Sequence, residues 1–119
     1  MLKGSLVSVV DDDQSVRESL PDLLRIVGLE VKAFSCAEEF LASDSVSQSK
    51  CLILDIHLPG MSGPDLQEEL RRRKIELPII FITAHSDAIC SRLLELGAVA
   101  CLTKPFSETD LLTALNAAF

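Results

Sequence analysis

The 119-residue sequence sets chemically capable side chains directly behind its most apolar runs. The run at 6–10 leads into three consecutive aspartates, Asp11, Asp12 and Asp13. The run at 51–54 ends in Asp55, the run at 78–82 ends in Thr83, and the run at 98–102 is followed by Lys104 and Pro105. Carboxylates crowded together raise one another's pKa unless a cation lies among them. A hard divalent ion, Mg2+ or Mn2+, resolves that conflict: it takes one or two carboxylates, a carbonyl and waters, and keeps positions for a phosphoryl oxygen. An aspartate beside such an ion is a competent nucleophile toward phosphorus. An ammonium and a hydroxyl nearby stabilise the equatorial oxygens of the transferred group. Together these residue types spell out the formation of an aspartyl phosphate.

Taken singly, each has a plainer use. An Asp after a strand often sits in a turn or caps a helix, and a Thr ending a strand is commonplace. Lys104 carries more information, because an X-Pro bond in a tight loop is able to adopt the cis form and fix the direction of the Lys. It is the joint placement at four run ends that points to a site.

Five apolar segments of strand length, at 6–10, 29–34, 51–54, 78–82 and 98–102, alternate with segments of helical period. Val16, Leu20, Leu23, Leu24 and Val27 share one helical face, as do Leu66 and Leu70, then Ile89, Leu93 and Leu96, then Leu111, Leu112 and Leu115. Alternating strands and helices predict an α/β fold, a doubly wound parallel sheet with right-handed crossovers and helices on both faces. The functional crevice of such a sheet lies beyond the carboxyl ends of its strands, which is where the four sets of polar residues fall. Ser35 with Glu38, Ser62 with Asp65, and Ser107 with Asp110 have the spacing of a capping box, and Ser86 is placed to cap the fourth helix. Gly28 and Gly97 mark helix stops. Pro21, inside the first helical pattern, predicts a bend or a displaced start. The polar stretch 43–50 reads as a flexible connection.

The composition fits one domain spanning 1–119, with a core of Leu, Ile, Val and Ala. A net charge of -7 argues against direct binding of nucleic acid or of an anionic membrane surface. The one basic cluster, Arg71 to Lys74, falls late in a helical pattern, where cations complement the helix dipole. Cys36, Cys51, Cys90 and Cys101 show no metal-ligand spacing, and three of them interrupt apolar or helical segments and read as small buried hydrophobes in a reducing compartment. With no signal peptide or membrane-length apolar run in the sequence, the expected location is the cytoplasm.

The motifs "VVDD", "LILDIHLPGMSG", "FITAH" and "LTKPF" occur in that order across nearly the whole chain. In this the sequence resembles the receiver domains of two-component response regulators, and "VVDDDQSVRESL" with "KPF" is similar to the FixJ-like branch. The resemblance implies a five-stranded parallel sheet in order 2-1-3-4-5 flanked by five helices. It also implies a role for each site residue. Asp12 would be a direct metal ligand and Asp11 a ligand acting mostly through water. Asp55 would be the phosphoacceptor, and the backbone carbonyl of His57 would complete the Mg2+ site. Thr83 would be the switch hydroxyl and Lys104 the contact to the phosphoryl group. The implied partner is a sensor histidine kinase; homodimerisation on phosphorylation stays open, and the domain reads as either a stand-alone receiver or part of a longer regulator, the FixJ-like resemblance favouring a DNA-binding, transcriptional output domain outside this chain. The domain would then be no enzyme beyond its own phosphoryl transfer and slow dephosphorylation.

At the second switch position, usually Phe or Tyr in the family, this sequence has Cys101, which cannot swing a ring into space vacated by Thr83. An inert buried thiol is the expectation there. His57 and His85, two residues past Asp55 and Thr83, are placed to influence the attacking water of hydrolysis. Two other classes fit less well. A haloacid-dehalogenase-like phosphatase needs a second Asp where His57 stands, and a flavodoxin-like cofactor binder needs a phosphate-cradling loop where the aspartates stand.

Overall fold

The computed structural model describes residues 3–85 and 88–119. Its elements are β1 (Leu6–Val10), α1 (Gln14–Ile26), β2 (Glu30–Phe34), α2 (Ala37–Leu41), α3 (Ser45–Gln48), β3 (Ser49–Asp55), α4 (Gly63–Arg72), β4 (Ile79–Thr83), α5 (Ile89–Glu95), β5 (Ala100–Thr103) and α6 (Glu108–Ala118). All strand pairs are parallel and the sheet order is β2-β1-β3-β4-β5. The predicted sheet and its order are therefore met. The helix count differs, with six helices among the described residues in place of five. The stretch expected to be a flexible connection instead contains α3 and the start of β3, with Ser45 and Ser49 buried.

Period-two alternation in the strands divides the core between the two faces of the sheet. Val10, Leu52, Leu54, Ile79 and Phe81 pack with Phe40, Leu66, Leu70 and Leu93 from α2, α4 and α5. Val7, Val9, Ile53, Ile80 and Ile82 pack with Leu20, Leu24, Leu111 and Leu115 from α1 and α6. β3 and β4 lie in the interior of the sheet and are almost wholly buried, whereas the edge strands β2 and β5 are largely open to solvent.

Helix ends follow the sequence signals unevenly. Ser62 and Asp65 make a complete reciprocal capping box at α4, and Ser107 accepts the Asp110 N–H at α6. Ser35 does not cap: α2 starts after Cys36 without a side-chain cap bond, and the Ser35 hydroxyl donates to Glu39 instead. Ser86 lies outside the described residues, and α5 opens after Ala88, which makes no side-chain cap bond. Gly28 and Gly97 both adopt positive φ, 91° and 106°, where the chain leaves α1 and α5. α1 starts at Gln14 and runs through the buried Pro21, so its start is not displaced.

The cysteine reading needs correction. Cys51 is buried, and burial pushes its thiol up to about 12. Cys90 on α5 and Cys101 on β5 form a disulfide, with Cα atoms 5.9 Å apart, inside the usual span of a bridge. Cys101 is half-buried and bonded, and so is not the inert buried thiol expected. The two cysteines stand eleven residues apart in sequence. Only the return of the chain from α5 into β5 brings them face to face.

Candidate acidic phosphoryl-transfer site

The site builds up from the strand ends. β1 delivers Asp11 fully buried, and its Oδ1 accepts the Asp13 backbone N–H at 2.9 Å. The Arg17 guanidinium, one turn into α1, donates to the Asp11 carbonyl at 2.9 Å and ties the helix back to the strand end. Asp12 is exposed beside it. Asp13 is the N-cap of α1, and its carboxylate accepts both the Ser15 hydroxyl and the Ser15 N–H, at 2.8 and 2.9 Å. Those two bonds hold the Asp13 carboxyl below the usual carboxylate range. The three adjacent aspartates therefore occupy distinct settings: buried, exposed and helix-capping.

Asp55 is the last residue of β3 and is only 5% exposed. Its Oδ1 accepts the His57 backbone N–H at 3.2 Å. One carboxylate oxygen from each of Asp11, Asp12 and Asp55 lies within 4.8 Å of the others. Burial first, and then repulsion from Asp11, push the Asp55 carboxyl up to about 6, against the opposing pull of the His57 N–H and of Lys104. Lys104 reaches across from the end of β5, its Nζ 2.8 Å from Asp11 Oδ2 and 3.6 Å from Asp55 Oδ2. Burial alone would lower the Lys104 pKa; the hydrogen bond and charge of Asp11, with Asp55 and Asp13 behind, outweigh it and leave the ammonium raised.

Thr83 is the last residue of β4 and is fully buried. Its carbonyl accepts the Lys104 N–H at 2.7 Å, and its Oγ1 accepts the His85 N–H at 3.3 Å. The Lys104–Pro105 bond is cis. Both imidazoles belong to exposed residues directly beyond the site, His57 after Asp55 and His85 after Thr83. Asp11, Asp12, Asp55, Thr83 and Lys104 thus all stand at the carboxyl edge of the sheet. Cys101 stands apart, two residues short of the end of β5 and paired in register with Phe81.

The donor set fits a hard divalent cation. Three carboxylates converge, two of them buried, and they meet one ammonium, which leaves the cluster anionic.

Two contributions were not legible beforehand. A Cβ on Gly63 would lie 2.4 Å from the Asp55 carbonyl oxygen, so only glycine lets the start of α4 pack against the backbone carrying Asp55. The Glu38 carboxylate on α2 accepts the Met61 N–H at 3.1 Å, which braces the loop between β3 and α4. A glycine at the first position of a helix, behind a strong Ser cap, was a signal for the former. The latter joins residues 23 apart and leaves no local trace.

A parallel sheet in this order, with acids, a hydroxyl and an ammonium at its carboxyl edge, defines a doubly wound α/β domain built for phosphoryl chemistry. The match to known proteins narrows that class: residues 7–116 match the response regulator receiver domain. Nodulation protein W of Bradyrhizobium diazoefficiens is 50% identical over 115 residues, covering 96% of this chain and 51% of that protein. Response regulator protein TodT of Pseudomonas putida is 43% identical over 117 residues, covering 98% of this chain and 52% of that protein. The crystal structure of FixJ-N superposes with a TM-score of 0.86 at 35% identity, covering 98% of this chain and 94% of that one. The chain belongs to the response regulator receiver family, and its likeness to FixJ is borne out. It is a phosphorylation-dependent signalling module that spans about half the length of the curated relatives it matches. Among the described residues no helix is long and apolar enough to cross a membrane.

Proposed function

We propose that Asp55 is the phosphoacceptor, taking a phosphoryl group from the phosphohistidine of a sensor kinase. The N–P bond breaks as the bond from an Asp55 carboxylate oxygen to phosphorus forms. One observation carries the reading: Asp55 stands buried among Asp11, Asp12 and Lys104, with an oxygen of each carboxylate within 4.8 Å and the ammonium in reach. Asp11, Asp12, Asp55 and the His57 carbonyl would hold Mg2+, or Mn2+, which when bound neutralises the acids and polarises the phosphoryl oxygens. Lys104 supplies a fixed positive charge for the equatorial oxygens, and the Thr83 hydroxyl a donor from the neighbouring strand end. The domain turns over no external substrate beyond this self-modification.

Acetyl phosphate labelling tests the assignment. Asp55→Asn abolishes incorporation, and stoichiometric labelling of that variant would falsify it. Asp12→Ala weakens Mg2+ binding severely while Asp13→Ala, which removes a helix cap, leaves it close to wild type; equal losses contradict the separate settings of the two acids.

In the wider protein, this domain of residues 1–119 would govern an output domain outside the chain, and the likeness to FixJ supports a transcriptional one. Phosphorylation would shift the balance between two conformations through the contacts of Thr83 and Lys104, exposing a surface for homodimerisation. Contact with DNA would fall to the output part, in keeping with the net charge of -7 here, and the site of action would be the cytoplasm.

A further inference from the structure

A covalent link lies within the β4–β5 part of the rim. α5 follows the strand that ends in Thr83, and β5 precedes Lys104; the Cys90–Cys101 bridge bonds that helix to that strand. α5 is short: it has seven residues, no side-chain cap and one buried residue, Leu93, whose carbonyl accepts the Gln67 amide of α4 at 3.4 Å. β5 is an edge strand whose residues are at best half-buried. Cys90 and Cys101 are both half-buried, within reach of a small thiol, unlike the fully buried Cys51.

We propose that Cys90 and Cys101 form a redox site whose bridge clamps α5 to β5 in the unphosphorylated arrangement, and that a dithiol reductant releases the clamp and frees the domain to respond at Asp55. The step is thiol–disulfide exchange. One thiolate of the dithiol attacks a bridge sulfur, the S–S bond breaks, and a mixed disulfide forms with the other cysteine leaving as a thiolate. The second thiolate of the reductant then displaces the first cysteine. The protein gains two electrons and two protons as Cys90 and Cys101 thiols, and the reductant leaves as its own disulfide. The reverse exchange, with a disulfide as oxidant, restores the bridge.

The clamp works on the phosphoryl site because it spans two segments that bear on that site. Thr83 and Lys104 are joined by the Lys104 N–H to Thr83 carbonyl bond, and Thr83 pairs with Thr103 in register. Movement of Lys104 toward a group on Asp55 pulls on β5, and movement of Thr83 is felt by β5 through the Thr83–Thr103 pair. A covalent tie between α5 and β5 restricts both, and a bond that favours one conformation must oppose a ligand that favours the other.

This inference rests on Asp55 as the phosphoryl site, so the test keeps the two apart. The full chain is prepared oxidised and dithiol-reduced, and the affinity of each form for beryllofluoride with Mg2+ is measured by isothermal titration. The reduced protein binds more tightly by about fivefold or more, the low end of measured couplings. Cys90→Ser binds as the reduced protein does and is indifferent to reductant. Hydrogen exchange of α5 amides quickens on reduction. Equal affinities of the two forms, or unchanged α5 exchange, overturn the clamp while leaving Asp55 standing. Alkylation of Cys90 and Cys101 in the unreduced protein overturns the bridge itself. Absence of beryllofluoride binding in every form overturns the Asp55 reading and the clamp with it.

Discussion

The β1–β3 half of the rim and the β4–β5 half are held by different means. On the acid side, backbone groups hold the carboxylates: the Asp13 N–H holds Asp11, the His57 N–H holds Asp55, and Gly63 lets α4 close against the Asp55 carbonyl. A cap bonded twice by Ser15 and a reciprocal capping box fix the helices that follow. On the other side, Thr83 is buried, but it leads to a short helix without a side-chain cap, and Lys104 leaves an edge strand. There the Cys90–Cys101 bridge adds a covalent tie to the packing of Leu93, Ile89 and Leu102. On the proposed reading the difference would separate two jobs, since a metal and a reacting carboxylate need preorganised ligands whereas a conformational response needs a segment able to move.

Both described ion pairs that cross between the halves are made by Lys104, so replacing it severs the comparison at its joint. Lys104→Ala leaves the buried Asp11 carboxylate without a counter-charge, and removing one partner of a buried pair costs about 3–5 kcal/mol. Urea unfolding without divalent ions checks this, and added Mg2+ should recover much of the loss. A cost below about 1 kcal/mol would mean that the acid half neutralises itself without help from the lysine half.

Removing the repulsion from the acid half acts in the opposite direction. Asp55 titrates near 6 in the folded chain, against 3.8 in the absence of perturbation. Between those values the folded state binds the extra proton, so stability declines as pH rises from about 4 through 6 and stays lower above. Asp55→Asn removes that decline. It gains about 2–3 kcal/mol over the wild type at pH 7.5 without Mg2+, and close to nothing at pH 3.5. Urea midpoints across that range test the sign, and a gain as large at pH 3.5 as at pH 7.5 would assign the effect to packing. Gly63→Ala damages the same half by steric means. A methyl placed against the Asp55 carbonyl costs about 1–3 kcal/mol and lowers the rate of acetyl phosphate labelling, because the backbone bearing the nucleophile must shift.

What the sequence made legible follows the same division. The strands, their parallel pairing and the strand-end residues depend on local pattern: apolar runs, a change of period and a polar residue at each boundary. Asp11, Asp55, Thr83 and Lys104 were accordingly readable from position alone. The cap of the helix after β2 was not. That helix has too few apolar residues for a period to show, and Ser35 has the spacing of a capping box but a chain path that starts the helix one residue later. The Cys90–Cys101 bridge and the Glu38 brace were hidden because both join residues that only the tertiary fold brings together. Reading cysteines as small buried hydrophobes held for Cys51, where β3 is covered on both faces; Cys36 is only half-buried, and Cys90 and Cys101 are bonded to each other.

The smallest effect expected discriminates between a spacing and a structure. Ser62 and Ser35 carry the same sequence signature, a hydroxyl three residues ahead of a carboxylate, yet only Ser62 meets its partner: its hydroxyl accepts the Asp65 N–H at 3.2 Å and its own N–H donates back to the Asp65 carboxylate at 3.1 Å. Ser62→Ala therefore loses both arms of the box at the helix that follows Asp55 and costs about 1 kcal/mol. Ser35→Ala loses an exposed bond to Glu39, and its cost stays within about 0.5 kcal/mol. Paired urea midpoints decide between them. Equal losses would place a working cap at Ser35 and extend to α2 the kind of anchoring seen at α4; unequal losses leave α2 without one.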